Sequence, residues 1–397
     1  MASFTQYKTK DGSKFWRCQY TIATDPLTGK RTKRQKRGFK TRKECEIYVA
    51  HQLADLDNHG FKEDTNATYK EVYDSFIESY KKTVKESTLN HVLGMFRIHI
   101  LPAFGKYKIK KITVTTCQKI VNGWYDDFSD YKKIKNYANL VFKEARRLSI
   151  IYENPMDLVI MPKKKAKIQN ADDNKFWDKN ELQAFINQTN KYYGGRNEKA
   201  VALFRLLAFT GARKAEILAL QVADFDYKDK TLLINKTVTR DIDNHQTIGT
   251  PKTINGYRTL HLDQNTADIL NHWISTMHKE MFMLGYNTGS RNQWIFPNTH
   301  NQLLSMMKPN KWMDAVIDSY NNDKDNKNNK LHLERITPHG LRHTWITLAI
   351  ESNQLTIKQI QKQAGDSDVS VILSTYAHVT KQATEETIDK FTSYVDF

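Results

Sequence analysis

Thr337-Pro338-His339-Gly340-Leu341-Arg342-His343-Thr344 concentrates more chemistry than any other eight residues of this chain. Thr337 fits a helix N-cap and Pro338 the first helical position, so the spacing predicts His339 and Arg342 on one face of an opening helical turn. A helix N-terminus with a histidine and an arginine on one face suits a phosphate. Upstream, Thr210-Gly211-Ala212-Arg213-Lys214-Ala215-Glu216 places a second arginine just after a glycine break, where an apolar-periodic helix begins. Alone, Arg213 would be a surface arginine paired with Glu216 three residues on. Between the two stretches, Pro251-Lys252-Thr253 precedes Asn255-Gly256 inside a Thr-, Ile- and Val-rich region over 232–262. An Asn-Gly pair between strand-like runs predicts a hairpin. Downstream, Ser374-Thr375-Tyr376-Ala377-His378 puts a tyrosine late in a helical pattern.

Charge points the same way. The 397 residues carry 61 Lys+Arg against 44 Asp+Glu, a net +17. Residues 1–60 hold 13 basic and 6 acidic groups, residues 61–170 hold 21 and 12, and the remainder holds 27 and 26. Nearly all the excess is therefore in the first 170 residues, the footprint of a protein that grips a polyanion rather than a merely solvated surface. No apolar run approaches the roughly 20 residues of a membrane span, and no amphipathic basic helix suggests a membrane surface. The N-terminus does not read as a signal peptide. Cys18, Cys45 and Cys117 lack metal-ligand or disulfide-framework spacing, so a soluble protein of a reducing cytosol is expected. No phosphate-binding glycine loop or acidic metal motif is present, which predicts neither nucleotide nor metal as cofactor.

Three segments follow from the patterning. In the first, Lys14 to Thr24 alternates, with Trp16, Cys18, Tyr20 and Ile22 on one face; a second strand over 31–39 and a helix over 41–56 capped by Thr41 come next. Nine basic residues fall between Lys30 and Lys43. A two-stranded ribbon fits the major groove, so Arg17, Arg31, Lys33, Arg34, Lys36 and Arg37 are predicted DNA contacts; the plainer role is a charged edge strand. From 68 to 158 the pattern is helical and basic, and Val72, Phe76, Tyr80, Val121, Trp124, Tyr125 and Phe128 read as core. Lys163, Lys164 and Lys165, further predicted DNA contacts, open an aperiodic linker over 161–174.

Arg213, Lys252, His339, Arg342 and Tyr376, in that order, resemble the tyrosine recombinases, the phage and transposon integrase family. That family carries an arginine in a TGxRxxE context, a lysine in a β-hairpin, HxxR and a C-terminal tyrosine. The resemblance implies a multidomain α+β protein. Residues 1–60 would be an arm-type DNA-binding module of a three-stranded sheet and a helix. Residues 66–160 would be an all-α, SAM-like core-binding domain, and residues 175–397 a mainly α catalytic domain with a β-hairpin and small sheet. It implies a site-specific DNA recombinase that cuts and rejoins DNA through a 3′-phosphotyrosine link, integrating or excising a mobile element without cofactor or metal. Tyr376 would be the nucleophile, Arg213 and Arg342 the phosphate clamp, Lys252 the general acid and His339 the base or hydrogen-bond donor. Arg258, beyond the same turn, is a poorer acid because a guanidinium hardly releases its proton.

The same resemblance implies double-stranded DNA at core and arm sites, a homotetramer on DNA, no membrane, and a bacterial host cytoplasm. An excisionase and a host DNA-bending protein are the accessory partners it brings in, and the tail with Ile388, Phe391, Tyr394 and Phe397 would dock on a neighbouring protomer. One position departs. Where the family has Leu-Gly-His about ten residues before the tyrosine, this chain reads Ala364-Gly365-Asp366. A carboxylate beside a phosphate repels it unless turned onto a cation. Asp366 therefore salt-bridges an active-site arginine, lies outside the chemistry, or attenuates cleavage, while His343 and His378 are substitute donors. The rival functions are a type IB topoisomerase-like enzyme and a catalytically attenuated DNA-binding regulator.

Overall fold

Alternating polarity builds the N-terminal strands of the structure, a computed structural model that describes residues 2–9, 11–24, 31–59, 66–163, 176–251, 254–323 and 331–365. The chain divides into two compact units, 1–165 and 166–397. In the first, β1 (Ala2–Lys8), β2 (Lys14–Thr24) and β3 (Arg31–Phe39) form an antiparallel sheet in that order. Cys18 and Tyr20, on the inward parity of β2, meet Cys45 and Val49 of α1 (Arg42–His59) in a small core. The Thr41 hydroxyl accepts the Glu44 backbone N–H at 3.2 Å, the cap its sequence calls for.

Register splits the basic cluster between two faces. Arg17 pairs with Arg37, Gln19 with Gln35 and Thr21 with Lys33; Cys18 pairs with Lys36 and Tyr20 with Arg34. Directly opposed residues share a face. Arg17, Lys33 and Arg37 are thus exposed on the side away from α1. Arg34 and Lys36 share the helix side, where Lys36 Nζ stands 4.3 Å from the centroid of the Tyr48 ring.

The helical part of this unit begins at α2 (Tyr69–Tyr80), opened by a reciprocal cap between Thr68 and Glu71. α3 (Glu86–Met95) passes through a wide turn at Phe96–Ile100 into α4 (Leu101–Phe104). There the Leu101 N–H reaches back five residues to Phe96 O, next to Pro102, which has no N–H to give the ladder. α5 (Val114–Asp127) and α6 (Tyr131–Arg147) complete it. Val72, Val121 and Trp124 are buried, with Phe76, Tyr80, Tyr125 and Phe128 packed against them, so the residues expected as core are core.

In the second unit, Asp178 and Glu181 cap α7 (Lys179–Tyr193) reciprocally. α8 (Glu198–Thr210) buries Ala202, Leu203, Phe204, Leu206 and Leu207, because α7, α10 (Gln264–Met283) and α12 (Gly340–Glu351) all pack on it. A single turn, α9 (Lys214–Ile217), follows. β4 (Phe225–Asp226), β5 (Thr231–Ile234) and β8 (Arg258–His261) make one small sheet; β6 (Thr237–Arg240) and β7 (Gln246–Gly249) make a separate hairpin. α11 (Lys308–Asn322) and α13 (Ile357–Ala364) complete the described elements. Among the described residues, no helix is long and apolar enough to cross a membrane.

Two local expectations are corrected. The hairpin turns at 241–245, where Asp241 N–H bonds His245 O and Asn244 takes φ +69°, not at Asn255-Gly256. Those two residues belong to a short 3-10 turn, and a Cβ on Gly256 would lie 2.5 Å from Pro251 Cβ. Gly256 does not adopt the left-handed backbone of a two-residue hairpin turn. Likewise, Thr337 does not cap α12: Gly340 N–H bonds Thr337 O at 2.7 Å in a turn around Pro338-His339, and the helix starts at Gly340. Proline at the second position of a turn satisfies the same dihedral as proline at the start of a helix.

Candidate active site

Gly211 ends α8 at φ +65°, and an added Cβ there would sit 2.6 Å from Trp345 Cε3 of α12. Both the left-handed backbone and the indole require glycine. The reversal delivers Arg213 to the N-cap of α9, where its backbone N–H bonds Glu216 Oε2 at 3.0 Å and its Nη1 bonds Glu216 Oε1 at 2.9 Å. The pairing expected of a lone arginine is therefore made, but with a carboxylate only 3% exposed. A second guanidinium reaches that carboxylate, Arg258 Nη2 at 2.8 Å from Oε2, and this arginine is itself 4% exposed. Burial alone would raise the Glu216 carboxyl. The Arg258 hydrogen bond and charge, then the Arg213 N–H and charge, outweigh it and hold the group below the ordinary 4.5.

The last turn of α13 joins this cluster. Gly365 O accepts from Nη1 and Nη2 of Arg213, both at 3.2 Å, and Gln363 O accepts from Arg258 Nε at 2.8 Å. Arg342, buried in α12, donates Nη1 to Gly211 O at 2.7 Å and to Ala364 O at 2.5 Å. Arg213 and Arg342, 129 residues apart in the chain, are thereby brought onto adjacent carbonyls of one turn. The carbonyls at a helix C-terminus carry partial negative charge and suit guanidinium groups. His339 is exposed immediately before α12, with its ring edge-on to His343 at 4.9 Å between centroids.

Lys252, Asp366 and Tyr376 lie outside the described residues, as do Lys164 and Lys165. Arg31 opens β3, and Lys163 is exposed at the end of the first unit's described residues. Among the described residues, no group of three or more His, Cys, Asp or Glu is placed to hold a metal ion. Arg258, which the sequence offers only as a poor acid, is the residue whose place in this cluster the motifs do not give. Its signal was parity: Arg258 shares the inward face of β8 with Leu260, and both are buried. Three guanidinium groups and one carboxylate leave this cluster net positive, and the partly exposed Arg213 gives it a side accessible to an anion such as a phosphodiester.

Sequence-family models match three parts of the chain: an arm DNA-binding domain over residues 4–55, the SAM-like N-terminal domain of phage integrases over 68–125, and the phage integrase family over 175–383. The integrase of Staphylococcus phage L54a is 26% identical over 359 residues, covering 86% of this chain and 97% of the relative. The fold matches that of the Tn1549 transposon integrase solved with circular intermediate DNA: the TM-score is 0.62 at 19% identity, over 82% of this chain and 99% of that one. A lambda integrase tetramer bound to a Holliday junction aligns at a TM-score of 0.51 and 15% identity, over 92% of this chain and 94% of that one.

Proposed function

The chain belongs to the phage integrase family, and from that premise we propose that it is a tyrosine-type site-specific recombinase, which cleaves and rejoins DNA to integrate or excise a mobile element. The observation that carries the assignment of roles is the convergence of Arg213 and Arg342 on the Ala364–Gly365 carbonyls. Two permanently charged forks held side by side suit the non-bridging oxygens of a pentavalent phosphate, and losing one such stabiliser costs on the order of 10²–10³ in rate.

Tyr376 is the nucleophile. Its phenol, ordinarily near pKa ~10, loses its proton as the Oη–P bond forms, and the bond from phosphorus to the 5′ oxygen breaks. Lys252 gives that oxygen a proton, leaving a 5′-OH and a 3′-phosphotyrosine; His339 accepts the phenolic proton or hydrogen-bonds the phosphate. The ester keeps the bond energy, so attack by another 5′-OH reseals DNA without nucleotide or metal. Asp366, next to the Gly365 carbonyl that Arg213 holds, either pairs with an active-site arginine or stays clear of the phosphate.

Residues 1–60 act as the arm-type DNA-binding module, 66–160 as the core-binding domain, 161–174 as the linker and 175–397 as the catalytic domain with its tail. The open sheet face with Arg17, Lys33 and Arg37 supports arm binding, since exposed cations on a ribbon match a groove and its phosphates. The lambda integrase tetramer supports a homotetramer as the working form. Its place is the cytoplasm of a bacterial host, with an excisionase and a DNA-bending protein as accessory partners.

A nicked suicide duplex carrying the element's attachment core tests this. The wild-type chain forms a covalent protein–DNA adduct and Tyr376→Phe forms none. An adduct with the Phe variant removes Tyr376 as nucleophile; no adduct and no plasmid relaxation by the wild type removes the enzyme activity. Plasmid relaxation without recombination of paired sites makes the chain a topoisomerase instead.

A further inference from the structure

We propose that Arg258 is a positioning residue of the cleavage centre, its guanidinium clamping Glu216, and through it Arg213, against the Gln363–Gly365 turn that also bears Arg342. The inference rests on the recombinase reading above and adds a residue outside the five-residue set.

Four stretches of chain meet on this one side chain. Nη2 holds Glu216 Oε2 at 2.8 Å, Nε holds Gln363 O at 2.8 Å, Nη1 holds Gly256 O at 3.2 Å, and β8 supplies the stem. The turn rests on the guanidinium itself: Gly365 has φ +72°, and a Cβ on it would lie 2.6 Å from Arg258 Nη1 and 2.8 Å from Cζ. At 4% exposure the group is sealed from solvent and reaches an incoming phosphate only through its neighbours. Glu216 spreads its two oxygens between the arginines, Oε1 to Arg213 and Oε2 to Arg258. A rigid fork aligns three acceptors in one plane, which a single ammonium does not.

The charged groups facing Glu216 are Arg213 at the start of α9 and Arg258 from β8; Arg342 of α12 and the α13 turn present a guanidinium and carbonyls to each other instead. With Arg258 gone, burial dominates and Glu216 takes up a proton at a higher pH than in the wild type. The protonated acid then releases Arg213.

The test is the rate of covalent adduct formation on the nicked suicide duplex, with affinity for the same duplex measured by gel shift. Arg258→Gln is expected to bind DNA like the wild type and cleave about tenfold or more slowly, a loss that deepens as the pH falls from about 8 to about 6. Arg258→Lys keeps the charge, so its smaller loss, about three- to tenfold, stays constant over that range. The proposal is overturned if Arg258→Gln cleaves within about twofold of wild type throughout, or if both variants lose the same pH-independent factor. Should a melting curve show Arg258→Gln unfolded, Arg258→Lys decides alone, and undiminished cleavage by it overturns the proposal. A wild type that forms no adduct refutes the recombinase reading rather than this one.

Discussion

Replacing Glu216 by glutamine removes the negative charge between two guanidinium groups while nearly preserving the side chain's shape. The Glu216–Arg258 pair is at 2.8 Å with both side chains under 5% exposed. Removing one partner of such a buried pair costs about 3–5 kcal/mol, because the other charge stays buried without compensation. The glutamine carbonyl still accepts one hydrogen bond, worth about 1 kcal/mol. The Arg213 half, 35% exposed, adds little because solvent screens it. The expected loss is therefore about 2–4 kcal/mol, a large part of the ~5–15 kcal/mol that holds a domain together. Urea unfolding followed by tryptophan emission measures it, since Trp177 and Trp273 are buried in this unit. At a slope of about 2 kcal/mol per molar, the midpoint falls by roughly 1–2 M. The pH dependence carries a sign. A carboxyl held low in the folded state contributes stability that is complete above its unfolded value, near 4.5, and is lost as the pH falls through the folded one. The gap between wild type and Glu216→Gln should thus be wide at neutral pH and close on acidification below 4.5. A neutral-pH gap under about 0.5 kcal/mol, or one that persists unchanged to about pH 3, refutes the buried-pair account.

Gly211→Ala forces a side chain into a left-handed backbone and to 2.6 Å from the Trp345 ring. It should cost about 2–4 kcal/mol in calorimetry, and a melting temperature equal to wild type would show that the ring yields freely. Asp366→His should leave adduct formation within about threefold; a gain beyond about tenfold would mean that the natural carboxylate restrains cleavage. Replacing Arg17 and Arg37 together by alanine should weaken arm-site binding for all sequences and flatten its salt dependence by about one unit for each phosphate no longer neutralised. Lys36→Ala, whose ammonium lies over Tyr48, should do less, and the opposite ranking in a gel-shift titration would reassign the DNA-facing side.

Much of the fold was legible because local chemistry and tertiary packing agree in it. Alternation at Cys18 and Tyr20, the Thr41 cap and the apolar stripes of α2 and α5 need no distant information. Legibility failed where one local signal serves two geometries. Thr337-Pro338 suits a cap or a turn, and the irregular 331–337 segment, tied by Leu333 N–H to Asn321 Oδ1, runs into the turn. Asn255-Gly256 suits a hairpin, yet β5 finds its partner in β8 beyond the intervening β6–β7 pair, so the chain reverses elsewhere. Arg213, His339 and Arg342 stand out in the sequence because their spacings are short and particular, and the structure brings Arg213 and Arg342 onto one turn. Arg258 was set aside because it was judged only as an acid, whereas its hydrogen-bond partners come from positions 216, 256 and 363, which no short window spans.

The carbonyl oxygens at the end of α13 occupy guanidinium donors and fix the aim of two cations at once. A displacement of that single turn therefore redirects Arg213 and Arg342 together.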